Sequence, residues 1–124
     1  MIFIFWLLFI ASSCLLPARV FTPFALDTLF QFDKLLHLLA FYALCASLIY
    51  IIQAPSLQHK ILVVFAAIGY GLLIEYIQGM SFIGRSFEWG DLIADTFGAI
   101  LGVFIPQIYI KSYQFLKKYL PFVK

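Results

Sequence analysis

The chain has 124 residues, 65% of them hydrophobic and 11% charged, with eight Lys and Arg against six Asp and Glu. This length admits a single domain, and a soluble globule so small exposes more surface than these few charges can cover. The hydrophobicity excludes disorder, and a net charge of +2 without a basic run before the last residues argues against a nucleic-acid partner.

Four apolar runs follow in order, each near the length of about 20 residues that crosses a bilayer as a helix. The first covers residues 1–16 and ends before Pro17 and Pro23. No Lys or Arg precedes it, so it reads as a retained helix and not a signal peptide, although Ile10–Cys14 loosely resembles a lipoprotein cleavage site. The second covers 35–53 and is closed by Ala54-Pro55-Ser56. The third covers 61–78, after which Gly79 opens a connection. The fourth covers 91–110, with Pro106 near its end, and leaves a tail at 111–124. The expected fold is all-α: a polytopic membrane protein forming a single four-transmembrane-helix bundle over residues 1–124.

With four crossings both termini share a side with the short loop between helices two and three. That side carries Lys60, Lys111, Lys117, Lys118 and Lys124, and the other carries Arg19, Lys34 and Arg85. The bias predicts cytoplasmic termini. Cys14 and Cys45 lie in apolar runs and read as small hydrophobes.

Polar groups in membrane helices are costly, so their placement is informative. Asp33, Lys34 and His37 begin helix two; Glu75 and Gln78 end helix three; Asp91 and Asp95 begin helix four, after a loop with Arg85 and Glu88. Four crossings bring all of these to the extracytoplasmic end. Helical spacing puts Asp33 and His37 on one face, Glu75 and Gln78 on one face, and Asp91 and Asp95 on a stripe continued by Gly98 and Gly102. The Gly98-x-x-x-Gly102 step permits close helix approach, and Gly69 and Gly71 are candidates for the same role. Each of these polar residues also has an ordinary reading as a helix cap or snorkelling charge. Gathered from three helices, His37, Glu75 and Asp91 are candidate catalytic residues suited to general acid–base work. Asp33, Lys34, Gln78, Arg85 and Asp95 are candidate binding residues, with Lys34 and Arg85 suited to a phosphate or carboxylate. The same types suit a divalent cation, but the sequence specifies no cofactor and no metal.

Asp33-Lys34-Leu35-Leu36-His37, Glu75-Tyr76-Ile77-Gln78, Gly84-Arg85-Ser86-Phe87 and Asp91-Leu92-Ile93-Ala94-Asp95-Thr96-Phe97-Gly98 together resemble the signature of VanZ-like membrane proteins. Ile83 stands where the family often has Pro, and Asp95 where it usually has Asn. The resemblance implies a small bacterial multi-helix membrane protein with an envelope role. It also implies a link to glycopeptide resistance, since the family is named after a protein associated with resistance to teicoplanin. It implies functional roles for Asp33, Lys34, His37, Glu75, Gln78, Arg85 and Asp91. Two functions remain open, and with them whether the protein is an enzyme. One is a site binding or modifying an anionic envelope component, with membrane lipids and a lipid-linked or cell-wall precursor as expected partners. The other is a noncatalytic adaptor whose polar cluster fixes helix packing. A transporter is disfavoured, because the cytoplasmic halves of helices three and four hold no Asp, Glu, Lys, Arg or His, so no through-path is evident.

Overall fold

The structure is a computed structural model and describes residues 2–15, 26–52, 54–80 and 86–119, with the side chains of 26–31 and 108–119 outside the description. Among the described residues all regular structure is helical: α1 (Ile2–Cys14), α2 (Leu26–Ile52), α3 (Leu57–Gln78) and α4 (Trp89–Tyr119). Three stretches are long and apolar enough to cross a membrane, Phe32–Ile52, Leu57–Gln78 and Trp89–Gln107. With 13 residues, α1 is shorter than a usual crossing.

The helices outrun the apolar runs at several ends. Helix α2 starts at Leu26, ahead of the expected Leu35, so Asp33 and His37 stand in helix interior and not in its first turn. Helix α3 starts at Leu57 because Ser56 caps it. The Ser56 hydroxyl accepts from His59 N at 3.4 Å, and His59 Nδ1 accepts from Ser56 N at 3.2 Å, a reciprocal capping box. The preceding turn places Ala54 at φ 47, in the left-handed region, ahead of Pro55. Helix α4 runs past Pro106 to Tyr119, so much of the expected tail is helical backbone.

Burial follows the logic of a bilayer. Large side chains such as Phe32, Leu36, Leu62, Phe65, Leu73 and Phe97 point outward and are exposed. The interior holds Ile10, Phe41, Leu44, Cys45, Ile49, Val63, Ala67, Ile74, Ala99 and Val103. Cys45 sits in this core as the small hydrophobe expected of it. The tightest pairing is α2 against α4. A Cβ on Gly98 would stand 2.2 Å from the Leu38 carbonyl oxygen, and one on Gly102 would stand 2.4 Å from that of Tyr42. The Gly98/Gly102 stripe is therefore the seam along which α4 reaches α2. Gly71 is also buried, whereas Gly69 has nothing within 4 Å of a built Cβ and faces outward, contrary to the role offered for it.

Candidate functional site

The close α2–α4 seam determines what happens one and two turns along it. Asp91 and Asp95 precede Gly98 on the buried stripe of α4, and Lys34 and His37 precede Leu38 on α2. The polar side chains of the two helices therefore meet across the narrowest crossing. His37 is 4% exposed, Asp91 2% and Asp95 1%; from α3, Glu75 is 0% and Gln78 1%. In a chain with an apolar exterior, these are among its best-buried residues.

The contacts form one connected network. Lys34 Nζ donates to Asp91 Oδ1 at 2.8 Å and to Glu88 Oε2 at 3.0 Å. His37 Nδ1 hydrogen bonds to Asp95 Oδ1 at 2.9 Å. Its other ring nitrogen, Nε2, lies 3.7 Å from Cys14 Sγ and 4.0 Å from Asp91 Oδ2. The backbone N–H of Glu88 donates to Glu75 Oε2 at 2.8 Å, which ties the start of α4 to the end of α3. Gln78 Nε2 donates to the Cys14 carbonyl at 2.7 Å, which ties α3 to α1. The start of α4 is further set by Glu88 O, which accepts from Asp91 N at 3.2 Å and Leu92 N at 3.4 Å. An acid in that first turn also suits the helix dipole.

Two oxygens in this network, Glu75 Oε1 and Asp95 Oδ2, are buried with no hydrogen-bond partner among the described residues. An unmet carboxylate oxygen away from water is costly, so each marks a place where a proton, a water or a cation belongs. Asp33 joins from α2, with a carboxylate oxygen that lies within 4.8 Å of donor atoms of both His37 and Asp91. Asp33, His37, Glu75, Gln78, Asp91 and Asp95 thus converge as helical phase predicted. Lys34 is there too, committed to two carboxylates. Arg85 lies outside the described residues.

Two participants escaped the sequence reading. The sequence places Glu88 only in the loop with Arg85, yet it receives Lys34 and gives its N–H to Glu75. Cys14 was read as a small hydrophobe, yet its thiol abuts His37 and its carbonyl holds Gln78. Topology alone offered a signal for Cys14, because the last turn of a first helix ends on the same side as the start of the second.

A family model described as VanZ/LLP1 matches residues 1–110. The chain belongs to the VanZ/LLP1 family. No curated protein and no solved structure matches it. In this VanZ/LLP1 protein the matched region holds every residue of the polar network, from Cys14 on α1 to Asp95 on α4.

Proposed function

We propose that this VanZ/LLP1 protein is a bacterial inner-membrane protein whose buried polar cluster binds or modifies the anionic headgroup of an envelope component, a membrane lipid or a lipid-linked cell-wall precursor. One observation carries the reading: five polar side chains from three helices are nearly fully buried together at one end of the bundle. Burying them is expensive, and a chain that needed only to pack helices has cheaper means in its glycine seam. In this reading α1 supplies a fourth crossing, both termini are cytoplasmic, and the cluster faces the extracytoplasmic headgroup layer. The position of Lys60 supports that orientation, because it lies over the Phe104 ring at 5.2 Å, toward the opposite end of α4.

The chemistry of the cluster favours acid–base work over simple anion capture. Lys34 is already paired to two acids, whereas His37 is oriented by Asp95 through Nδ1 and presents Nε2 to the space beside Asp91 and Cys14. That is the arrangement of a base held by a carboxylate. Glu75 and Asp91 are further groups able to hold a proton there, and Arg85 is a further candidate cation for the headgroup. A link to teicoplanin resistance belongs to the same reading.

The adaptor reading draws on the Lys34–Asp91 and Lys34–Glu88 ion pairs, which join α2 to the start of α4. His37→Gln and Glu75→Gln separate the two. For a headgroup site, both variants keep folded yield in detergent but lose co-purifying anionic lipid or precursor by mass spectrometry, and lose any teicoplanin phenotype. If both reach the membrane and bind as wild type, the headgroup reading fails. If both chiefly lose folded protein, the cluster is a packing device.

A further inference from the structure

His37 is held by Asp95 at Nδ1, and its other nitrogen, Nε2, faces Cys14 Sγ at 3.7 Å and Asp91 Oδ2 at 4.0 Å. The Nε2–Asp91 separation is too long for a hydrogen bond and leaves room for a positive centre between the two atoms. Asp91 divides its two oxygens: Oδ1 takes Lys34 at 2.8 Å, and Oδ2 is left on the His37 side. A carboxylate oxygen of Asp33 completes a group of three donors within 4.8 Å of one another.

We propose that Asp33, His37 and Asp91 hold a divalent transition-metal ion of the zinc or manganese type. Ligands at 2.0–2.2 Å from one such ion stand about 3–4 Å apart, so the observed spacing closes with small side-chain rotations. One imidazole with two carboxylates is a donor set for these ions. Asp95 stands in the outer-shell position usual for a metal-bound histidine, with its carboxylate on the far ring nitrogen, where it fixes the tautomer and the ring plane. Two buried oxygens of the same network show independently that it lacks protons or positive charge: Asp95 Oδ2 and Glu75 Oε1 have no hydrogen-bond partner among the described residues. Three protein donors leave positions open on the ion for an anionic oxygen, which is how an acid-rich pocket takes a headgroup. The metal site rests on the headgroup reading and deepens it: with the ion on Nε2, His37 is a ligand and not a base, and Glu75 is left as the proton-holding group; metal uptake is measured without lipid, so either idea can fail alone.

The test uses the full chain purified in detergent. Elemental analysis of the wild type should give about one equivalent of zinc or manganese per chain. EDTA should lower its melting midpoint by several degrees, and adding zinc or manganese alone should restore it. Asp33→Asn and Asp91→Asn should lose both the bound metal and the response to EDTA. Glu88→Gln, which alters the network without touching a donor, should keep both. Wild-type protein that carries neither ion and melts unchanged with EDTA or with added metal overturns the proposal, whatever the variants do. Metal that persists in folded Asp91→Asn, adventitious or held through Cys14, overturns it as well.

Discussion

Substituting Gly98 by Ala should damage both the bundle and its polar cluster, because the seam has no room for a methyl group. The new Cβ would meet the Leu38 carbonyl oxygen at 2.2 Å, and the carbonyl carbon and Cα of Leu38 at 3.0 and 3.1 Å. Carbon and oxygen rest no closer than about 3.3 Å, so α2 and α4 must part by about 1 Å. The obstacle is backbone, which cannot swing aside as a side chain can. Overpacking alone costs about 1–3 kcal/mol. Parting the helices at Leu38 also stretches the neighbouring His37–Asp95 bond from 2.9 Å to a length at which it no longer counts as one. A buried hydrogen bond adds about 1 kcal/mol, and the gain in helix propensity from Gly to Ala offsets about the same amount. The expected net loss is about 1–3 kcal/mol, a factor of about 5 to 150 in the unfolding equilibrium. Circular dichroism during SDS titration from mixed micelles reads this out. Gly69→Ala is the matched control, since nothing lies within 4 Å of its Cβ and it should be neutral or slightly stabilising. Equal midpoints for Gly98→Ala and Gly69→Ala would refute the seam.

Lys34→Met should destabilise the protein far more than Glu88→Gln, although each removes one end of an ion pair. Asp91 is 2% exposed and would be left buried without its ammonium, whereas Glu88 is 32% exposed and water replaces its partner. The first should cost about 3 kcal/mol, toward the low end for a broken buried pair because Lys34 is itself 29% exposed, and the second under about 1 kcal/mol. The same SDS titration compares them, and similar losses would contradict the unequal burial. Tyr70→Phe should cost about 1 kcal/mol, because its hydroxyl donates to the Leu7 carbonyl at 2.6 Å and is a polar tie between α1 and α3. Faster proteolysis or hydrogen exchange confined to α1 is the expected sign, and unchanged exchange there would show that apolar packing alone holds that helix.

What could be read from the sequence divides along physical lines. Apolar runs located α2, α3 and α4 because a lipid-facing surface must be apolar whatever packs behind it. Their ends were less legible: Ser56 and His59 extend α3 by a local capping exchange, and α2 runs back to Leu26 through polar residues that hydropathy does not count as membrane. Helical phase paired Asp33 with His37, Glu75 with Gln78 and Asp91 with Asp95, since residues three and four apart share a face, and the alternation of the helices put the three pairs at one end. The partner of each group was not legible. Asp91 and Glu88 compete for Lys34 at nearly equal distances, and only the register of α2 against α4, set by the glycine contacts, lets Lys34 hold both.

The same register explains why Cys14 enters the network although nothing in its own run marks it. Helix α1 packs Ile10, Leu7 and Ala11 against the core, and its polar ties to the rest are specific. Leu7 O receives Tyr70, Cys14 O receives Gln78, and Cys14 Sγ meets His37. Two of these three ties fall on the residue that closes α1 beside the buried histidine. The last turn of α1 therefore forms a wall of the polar cluster, and Gln78 secures it through a backbone carbonyl that any residue at position 14 would offer. The thiol is the part that depends on the residue itself. Its position on the open nitrogen of His37, opposite the nitrogen fixed by Asp95, makes Cys14 the side chain of α1 that any species at Nε2 must contact.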